Sequence, residues 1–258
     1  MPDFKAPSQK TGSLLNFGNA KTPKGETLGF ATAIMYLAPA MESGTNMCSY
    51  ASKGCTAACL FSAGHGAFQM VIDARVKRTL SYLNNLPSFM LQLESEIERF
   101  VDKAIQQSFI PVVRLNGTSD ALWERVKFVA ADGKSYASMM NRFPTVQFYD
   151  YTKVPLRYRK NRPGNYDLTF SLSEDNDAEA QEVLDNGGRV AVVFKNRPTT
   201  FMGVATVDGD ASDARFNDPA NAVVSLKAKG KARKDTSGFV RDGVSRTMTE
   251  ILESEVSV

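Results

Sequence analysis

Two adjoining stretches decide the fold: LGFATAIMYLA (residues 28–38) and MCSYASKGCTAACLF (residues 47–61). The first is a nearly continuous apolar run, which is how a strand covered on both faces reads. The second contains the only three cysteines of the chain, Cys48, Cys55 and Cys59. A helix beginning near Thr56 would turn Cys55 and Cys59, four positions apart, toward one side of its first turn. A buried strand, a loop rich in reactive side chains and a helix form one unit of a parallel βα fold, and ligands in such folds gather outside the carboxyl ends of the strands.

The same grammar recurs outward from this point. From Gln69 the pattern is helical through VIDARVKRTLSYL and, beyond a break at Pro87, through FMLQLESEIERFVDKAIQQ, with apolar residues at three- and four-residue steps. IPVVRL (residues 110–115) is a short strand ending in Asn116-Gly117-Thr118-Ser119-Asp120, with a helix expected from Ala121. Further strands are expected at residues 145–151, 166–172, 189–194 and 221–226, and a helix, AEAQEVLDN, stops at Gly187-Gly188. The expectation is an α/β fold: a mainly parallel sheet of repeated βα units, about six strands, forming a partial or distorted TIM-like barrel. A doubly wound open sheet is the competing arrangement. Residues 198–218 interrupt the pattern and read as a hairpin or a long functional loop. Residues 1–25 read as a flexible amino-terminal arm, 26–242 as a single βα domain, and 243–258 as a carboxyl-terminal helix and tail.

Composition narrows the chemistry. Apolar residues make up 43% of the 258, ample for a core, and net charge is +3, too small by itself to imply nucleic acid. The amino terminus lacks a signal-peptide apolar region and no stretch has the length of a membrane span, so a soluble cytoplasmic protein with no membrane partner is expected. An odd cysteine count there points to reduced thiols free to ligate. His65 is the only histidine, which excludes multi-histidine metal sites; phosphate-loop and dinucleotide fingerprints are also missing. Three soft thiolates without a fourth leave one metal position open, as in a [4Fe-4S] cluster with an open iron. Zinc held by the cysteines and His65, spaced by six, three and five residues, is the rival, and packed thiols are the plain alternative.

Strand ends supply the other candidates. Arg114, Asn116, Asp120, Ser171 and Ser173 are placed to bind a cofactor, and Lys153, Lys195 and Asp120 to act on a small-molecule or nucleotide substrate. Asp120 and Ser173 also read as helix caps, and the lysines as solvated surface.

The stretches CSYASKGCTAACLFSAGHG, VRLNGTSDALWE, FPTVQFYDYTK, NYDLTFSLSEDN, VAVVFK, VDGDASDARFNDP and LKAKGKARKDTSGFV together resemble the bacteriophage gene product 88 family, over roughly residues 14–240. That family brings no established activity. It implies that the cysteines, Arg75, Arg114, Asn116, Asp120, Tyr151, Lys153, Ser171, Lys195, Asp208, Asp210, Asp213, Lys229 and Lys231 belong to recurrent motif blocks, and it implies the cytoplasm of an infected host cell. A looser likeness is to radical S-adenosylmethionine enzymes, which are similar in carrying three cysteines on the loop after the first strand of a partial βα barrel. It implies that Cys48, Cys55 and Cys59 hold the cluster, that Arg114 and Asp120 meet the carboxylate and ribose of S-adenosylmethionine, and that Lys153 and Lys195 meet substrate. The spacing differs: Cys-x6-Cys-x3-Cys here, against CxxxCxxC. A cluster of this kind makes the chain a radical enzyme or a passive carrier.

A second class of function comes from KAKGKARK (residues 227–234), with Lys227, Lys229, Lys231, Arg233 and Lys234. These cations are candidates for the phosphates of nucleic acid or of a nucleotide, in a protein with zinc or no metal. Pairing with Asp208, Asp210, Asp213 and Asp218 is the plain explanation.

Overall fold

All six residues of β2 (Phe30–Met35) are buried, as the apolar run requires. The protein is described by a computed structural model over residues 3–17, 22–156, 159 and 162–243. The other strands are β1 (Leu15–Asn16), β3 (Ile110–Arg114), β4 (Phe128–Val129), β5 (Ser135–Tyr136), β6 (Gln147–Thr152), β7 (Tyr166–Ser171), β8 (Arg189–Phe194), β9 (Thr200–Phe201), β10 (Val204–Asp208) and β11 (Ala222–Lys227). Strands β4 and β5 pair as a separate hairpin; the remaining nine form one sheet in the order β1-β2-β3-β6-β7-β8-β11-β10-β9. Strands β2, β3, β6, β7, β8, β11 and β10 are parallel to their neighbours, and the antiparallel β1 and β9 are the edges. From β2 to β8 the strands lie in chain order, so this stretch has none of the reversal that a doubly wound sheet contains.

The helices are α1 (Thr22–Glu26), α2 (Lys53–Ala57), α3 (Gln69–Asn84), α4 (Leu86–Gln106), α5 (Met139–Arg142) and α6 (Asp177–Asp185). In α4, Phe89, Leu93, Ile97, Phe100 and Ala104 recur at three- and four-residue steps, and all are buried. They pack with Ala31, Ala33, Met35, Val113 and Phe148 from one face of the sheet. The Leu, Ile, Val, Met and Phe side chains among them each contribute about 1.5–3 kcal/mol by leaving water. Helix α6 covers the other half of that face with Ala180, Val183 and Leu184, against Phe170, Val190 and Val192.

The opposite face mixes apolar and polar side chains and is closed by residues 209–218. Phe216 meets Phe30 and Tyr149 edge-on at 5.1 and 5.5 Å. Beside it, Arg114 pairs with Asp213 at 2.9 Å and lies over the Tyr151 ring at 4.8 Å.

Two expectations are corrected. No α-helix follows Ala121: a 3-10 turn, Trp123–Arg125, leads into the β4–β5 hairpin. Asn116 is the reason, since its Oδ1 accepts from Ser119 Oγ, the Ala121 amide and Trp123 Nε1 and holds the chain in a tight loop. The amino-terminal segment does not hang free. Phe4, Leu14 and Leu15 are buried, β1 pairs with β2, and the amides of Leu14 and Leu15 donate to Glu96 on α4. The expected α/β fold with a mainly parallel sheet is present, and among the described residues the sheet does not close into a barrel, with β1 and β9 as its edges. The interrupting segment is indeed a hairpin, β9 against β10. The expected terminal helix beyond residue 243 lies outside the described residues.

Candidate functional site

The cysteine loop leaves the carboxyl end of β2 and is stapled to the loop after β3. Thr118 Oγ1 donates to Leu37 O at 2.5 Å and the Asp120 amide to Met47 O at 3.0 Å. Cys48 follows in a turn in which its amide donates to Asn46 Oδ1. Ser52 then caps α2, accepting from the Cys55 amide at 3.0 Å. The helix starts three residues earlier than the Thr56 expected, because this cap fixes it.

A residue from a distant loop clamps that cap. Glu174, just beyond β7, accepts from Ser52 Oγ at 2.7 Å and from the Gly54 amide at 2.6 Å. A Cβ on residue 54 would lie 2.2 Å from Ser237 Oγ and 2.7 Å from Glu174 Oε2, so only glycine lets these chains meet.

All three thiols are partly buried, and burial pushes Cys48 and Cys55 up to about 11 and raises Cys59. Asp120, Cys59 and Cys55 raise Cys48 further; Lys153 pulls Cys55 down, and Arg75 and Lys153 pull Cys59 down. The thiols therefore stand within electrostatic reach of one another and of two cations. Among the described residues no three His, Cys, Asp or Glu side chains converge on a single ion position. His65, the fourth ligand of the zinc alternative, is exposed on a 3-10 turn and stacks on Phe68 at 5.6 Å.

Both cations are buried. Arg75 on α3 is sandwiched, its guanidinium carbon 5.2 Å from the ring centres of both Tyr36 and Phe61, and Nη1 donates to Phe61 O at 3.2 Å. Its Nε is buried without a hydrogen-bond partner. Lys153, after β6, donates to Ser171 O, Ser171 Oγ and Leu172 O at 3.0–3.1 Å and lies 5.2 Å from the Phe239 ring centre. Burial pulls both groups below their ordinary values. Among the described residues neither forms an ion pair.

The remaining sequence candidates divide. Asp120 belongs to the site: Oδ2 accepts from the Lys153 amide at 2.7 Å, while the buried Oδ1 has no hydrogen-bond partner and Arg159 Nη1 is 3.7 Å away. Ser171 belongs through Lys153. Arg114 turns to Asp213 and, at 3.8 Å, to Asp150, and Asn116 braces its own loop. Ser173 is fully buried, with its hydroxyl donating to Asp175 and its amide to Asn176. These three spend their polar groups on the fold. Lys195 is exposed beyond β8. Of the pairing expected between the basic run and the acidic segment, one contact is present among the described residues, Lys229 with Asp210 at 2.6 Å, while Asp208 pairs with Arg197 outside the run.

Sequence reasoning overlooked Glu174 and gave Arg75 no role. It also missed a cavity of about 470 Å³ on the outer side of the loop, lined by Met41, Glu42, Asn46, Cys48, Ala51 and Thr56. That is the size of a small-ligand site, typically about 300–1,000 Å³.

A family model described as Gene product 88 matches residues 13–243, and the chain belongs to that family. No curated protein and no solved structure matches it. The likeness to radical S-adenosylmethionine enzymes gains no support from these comparisons.

Proposed function

We propose that this member of the Gene product 88 family is an iron-sulfur protein of the radical S-adenosylmethionine kind, with Cys48, Cys55 and Cys59 each holding one iron of a [4Fe-4S] cluster and the fourth iron open to a small ligand. Charge balance carries the reading. Arg75 and Lys153 are two buried cations that form no ion pair among the described residues; the carboxylates of Asp120, Glu174 and Asp175 act on Lys153 from a distance, while Arg75 has only Tyr36 and the Cys59 thiol near it, and a buried unpaired charge costs several kcal/mol. An anionic thiolate-ligated cluster would offset both. Three cysteines on one loop, with His65 exposed on a separate turn, supply the three thiolates that a cluster with an open iron would need and not the fourth ligand of a closed zinc site. Consecutive parallel strands with the cysteine loop after the first of them suit a sheet curling toward a partial TIM-like barrel.

When bound, such a cluster with an open iron supplies the single electron that cleaves the carbon-sulfur bond of the sulfonium cofactor. The chain's own residues hold and shield it. Lys153 has all three ammonium protons engaged, so it acts as a fixed charge rather than as a base. Asp120 presents a buried acceptor, Oδ1, suited to a hydroxyl of the cofactor or substrate. The cavity beside Cys48 would give a small ligand room next to a cluster held there. A phage-family chain would do this in the reducing cytoplasm of the infected cell, where thiols stay free.

The test is anaerobic purification with iron and sulfide analysis. A brown protein with about four irons per chain, falling sharply in each Cys→Ser variant, is expected. A colourless protein that binds one zinc, or no metal after reconstitution with iron and sulfide, overturns the proposal.

A further inference from the structure

The basic run 227–234 and the cysteine loop are neighbours in space, although more than 160 residues separate them in the chain. The 3-10 turn Gly230–Lys234 packs on the turn Leu60–Ser62, and a Cβ on Gly230 would lie 2.8 Å from the Ala63 Cβ. Gly230 also has a positive φ, +54°, so its glycine both forms the turn and permits the contact. Lys227, Lys231, Arg233 and Lys234 are exposed, and among the described residues no ion pair holds them; Lys229 alone of the run is paired, with Asp210.

The loop on which this segment rests presents rings to solvent. Phe68 is 60% exposed and Tyr50 46%, where rings of their size are ordinarily covered. His65 stacks on one side of Phe68 with an interplanar angle of 24°, two residues beyond Ala63, and both side chains are exposed. Sequence alone shows few aromatics within the basic run, but the fold brings them in from the cysteine loop.

Cations that follow a backbone, next to rings that stack on bases, are the two components of a single-strand nucleic-acid surface. An acidic protein would use the cations and leave the rings without a partner. We infer that the substrate of this site is a single-stranded nucleic acid, its phosphates on Lys231, Arg233 and Lys234 and a base stacked on Phe68, which brings the strand to the mouth of the cysteine site. The inference deepens the proposed function by naming its substrate class, and it rests on that proposal for the reacting face.

Fluorescence anisotropy of a labelled 12-nucleotide single strand, against its duplex, tests it over a series of salt concentrations. The full chain is used in three forms: wild type, Lys231→Gln/Arg233→Gln/Lys234→Gln, and Phe68→Ala. Wild type is expected to prefer the single strand. The triple variant should flatten the dependence of log K on log salt by roughly 2, since each phosphate contact on a single strand accounts for about 0.7. Phe68→Ala should weaken single-strand binding about tenfold while leaving the salt slope unchanged. Equal binding of duplex and single strand, a Phe68→Ala variant that binds like wild type, or no binding at 50 mM salt overturns the inference. So does binding that acidic polypeptide, poly-glutamate, displaces as well as nucleic acid does. All forms are also measured metal-free and as Cys48→Ser, where strand binding should persist. Iron content thus decides the cluster and anisotropy decides the substrate, each without the other.

Discussion

Replacing Glu174 with Gln removes the clamp between the loop after β7 and the cysteine helix. Glu174 carboxylate takes two donors, Ser52 Oγ at 2.7 Å and the Gly54 amide at 2.6 Å, and Ser52 in turn accepts from the Cys55 amide. Burial opposes its charge, but the hydrogen bonds from Ser52 and Gly54, with Lys153 nearby, hold its carboxyl below the ordinary value. A glutamine offers one acceptor oxygen and turns an NH2 toward the second donor. Hydrogen bonds to charged groups are worth about 1.5–3 kcal/mol each, and this carboxylate is partly exposed, so the loss should be about 2 kcal/mol. That loss falls on local opening of the loop rather than on the whole fold, because the core under α4 is untouched. At about 1.4 kcal/mol per factor of ten, the open population should rise about thirtyfold. Thiol modification of the metal-free protein by a disulfide reagent, followed by absorbance under conditions where opening equilibrates before reaction, should accelerate by that factor. The urea midpoint should move little. A modification rate equal to wild type would refute the clamp, and a matching fall in global stability would place Glu174 in the core of the fold instead.

Three further perturbations probe the rest. Asp150 is fully buried and pushed up to about 7, chiefly by burial, so the folded chain keeps a proton that the unfolded chain releases from about pH 4 upward; stability should fall by up to about 4 kcal/mol between pH 4 and 7 from this group and level off above. Asp150→Asn, which mimics the neutral acid, should flatten that slope in urea titrations; an unchanged slope rules Asp150 out as its source. Arg75→Met should change metal-free stability by only about 1 kcal/mol, since it removes a buried unpaired charge, yet lower the midpoint potential of the proposed cluster in reconstituted protein because a nearby cation favours the reduced state. A large loss of metal-free stability with an unshifted potential would show that Arg75 merely packs. Asn116→Ala strands three donors, Ser119 Oγ, the Ala121 amide and Trp123 Nε1, and should cost about 3–5 kcal/mol by urea denaturation, whereas a cost near zero would remove Asn116 as the brace of that loop.

The parallel strands were legible because burial on both faces writes itself as an unbroken apolar run, seen in FATAIM and RVAVVF. Residues 121–125 misled because a helical pattern of residue types was overridden by one side chain, Asn116, with more acceptor capacity than its neighbours could ignore. The packed amino-terminal segment was masked by its Lys, Ser and Pro content; the Leu14-Leu15 pair was its only signal. At the site, the cysteines announced themselves by being few and close. Glu174 did not, since an acid before a helix is the commonest thing a strand-end loop contains, and nothing local says that it reaches back across 120 positions to Gly54. Arg75 was hidden for a related reason: its partners, Tyr36 and Phe61, come from two other segments and are rings rather than acids. Arg114, Asn116 and Ser173 looked like ligands because strand ends attract attention, but a buried strand end must also pair its own polar groups: Asn116 and Ser173 do so by hydrogen bonds, and Arg114 by its ion pair with Asp213, with Nε left 3.8 Å from Asp150.

The last described stretch of chain finishes the site: Ser237 sits against Gly54, Gly230 against Ala63 and Phe239 over Lys153. Synthesis proceeds from the amino end, so the cysteine loop is made early and stays uncovered until residue 239 has left the ribosome. During that interval the thiols face solvent without these contacts. A nascent chain halted before residue 230 should therefore take up iron and sulfide faster than the finished protein, and hold them less tightly. Timing of assembly, as much as the final contacts, would then decide what the three cysteines capture.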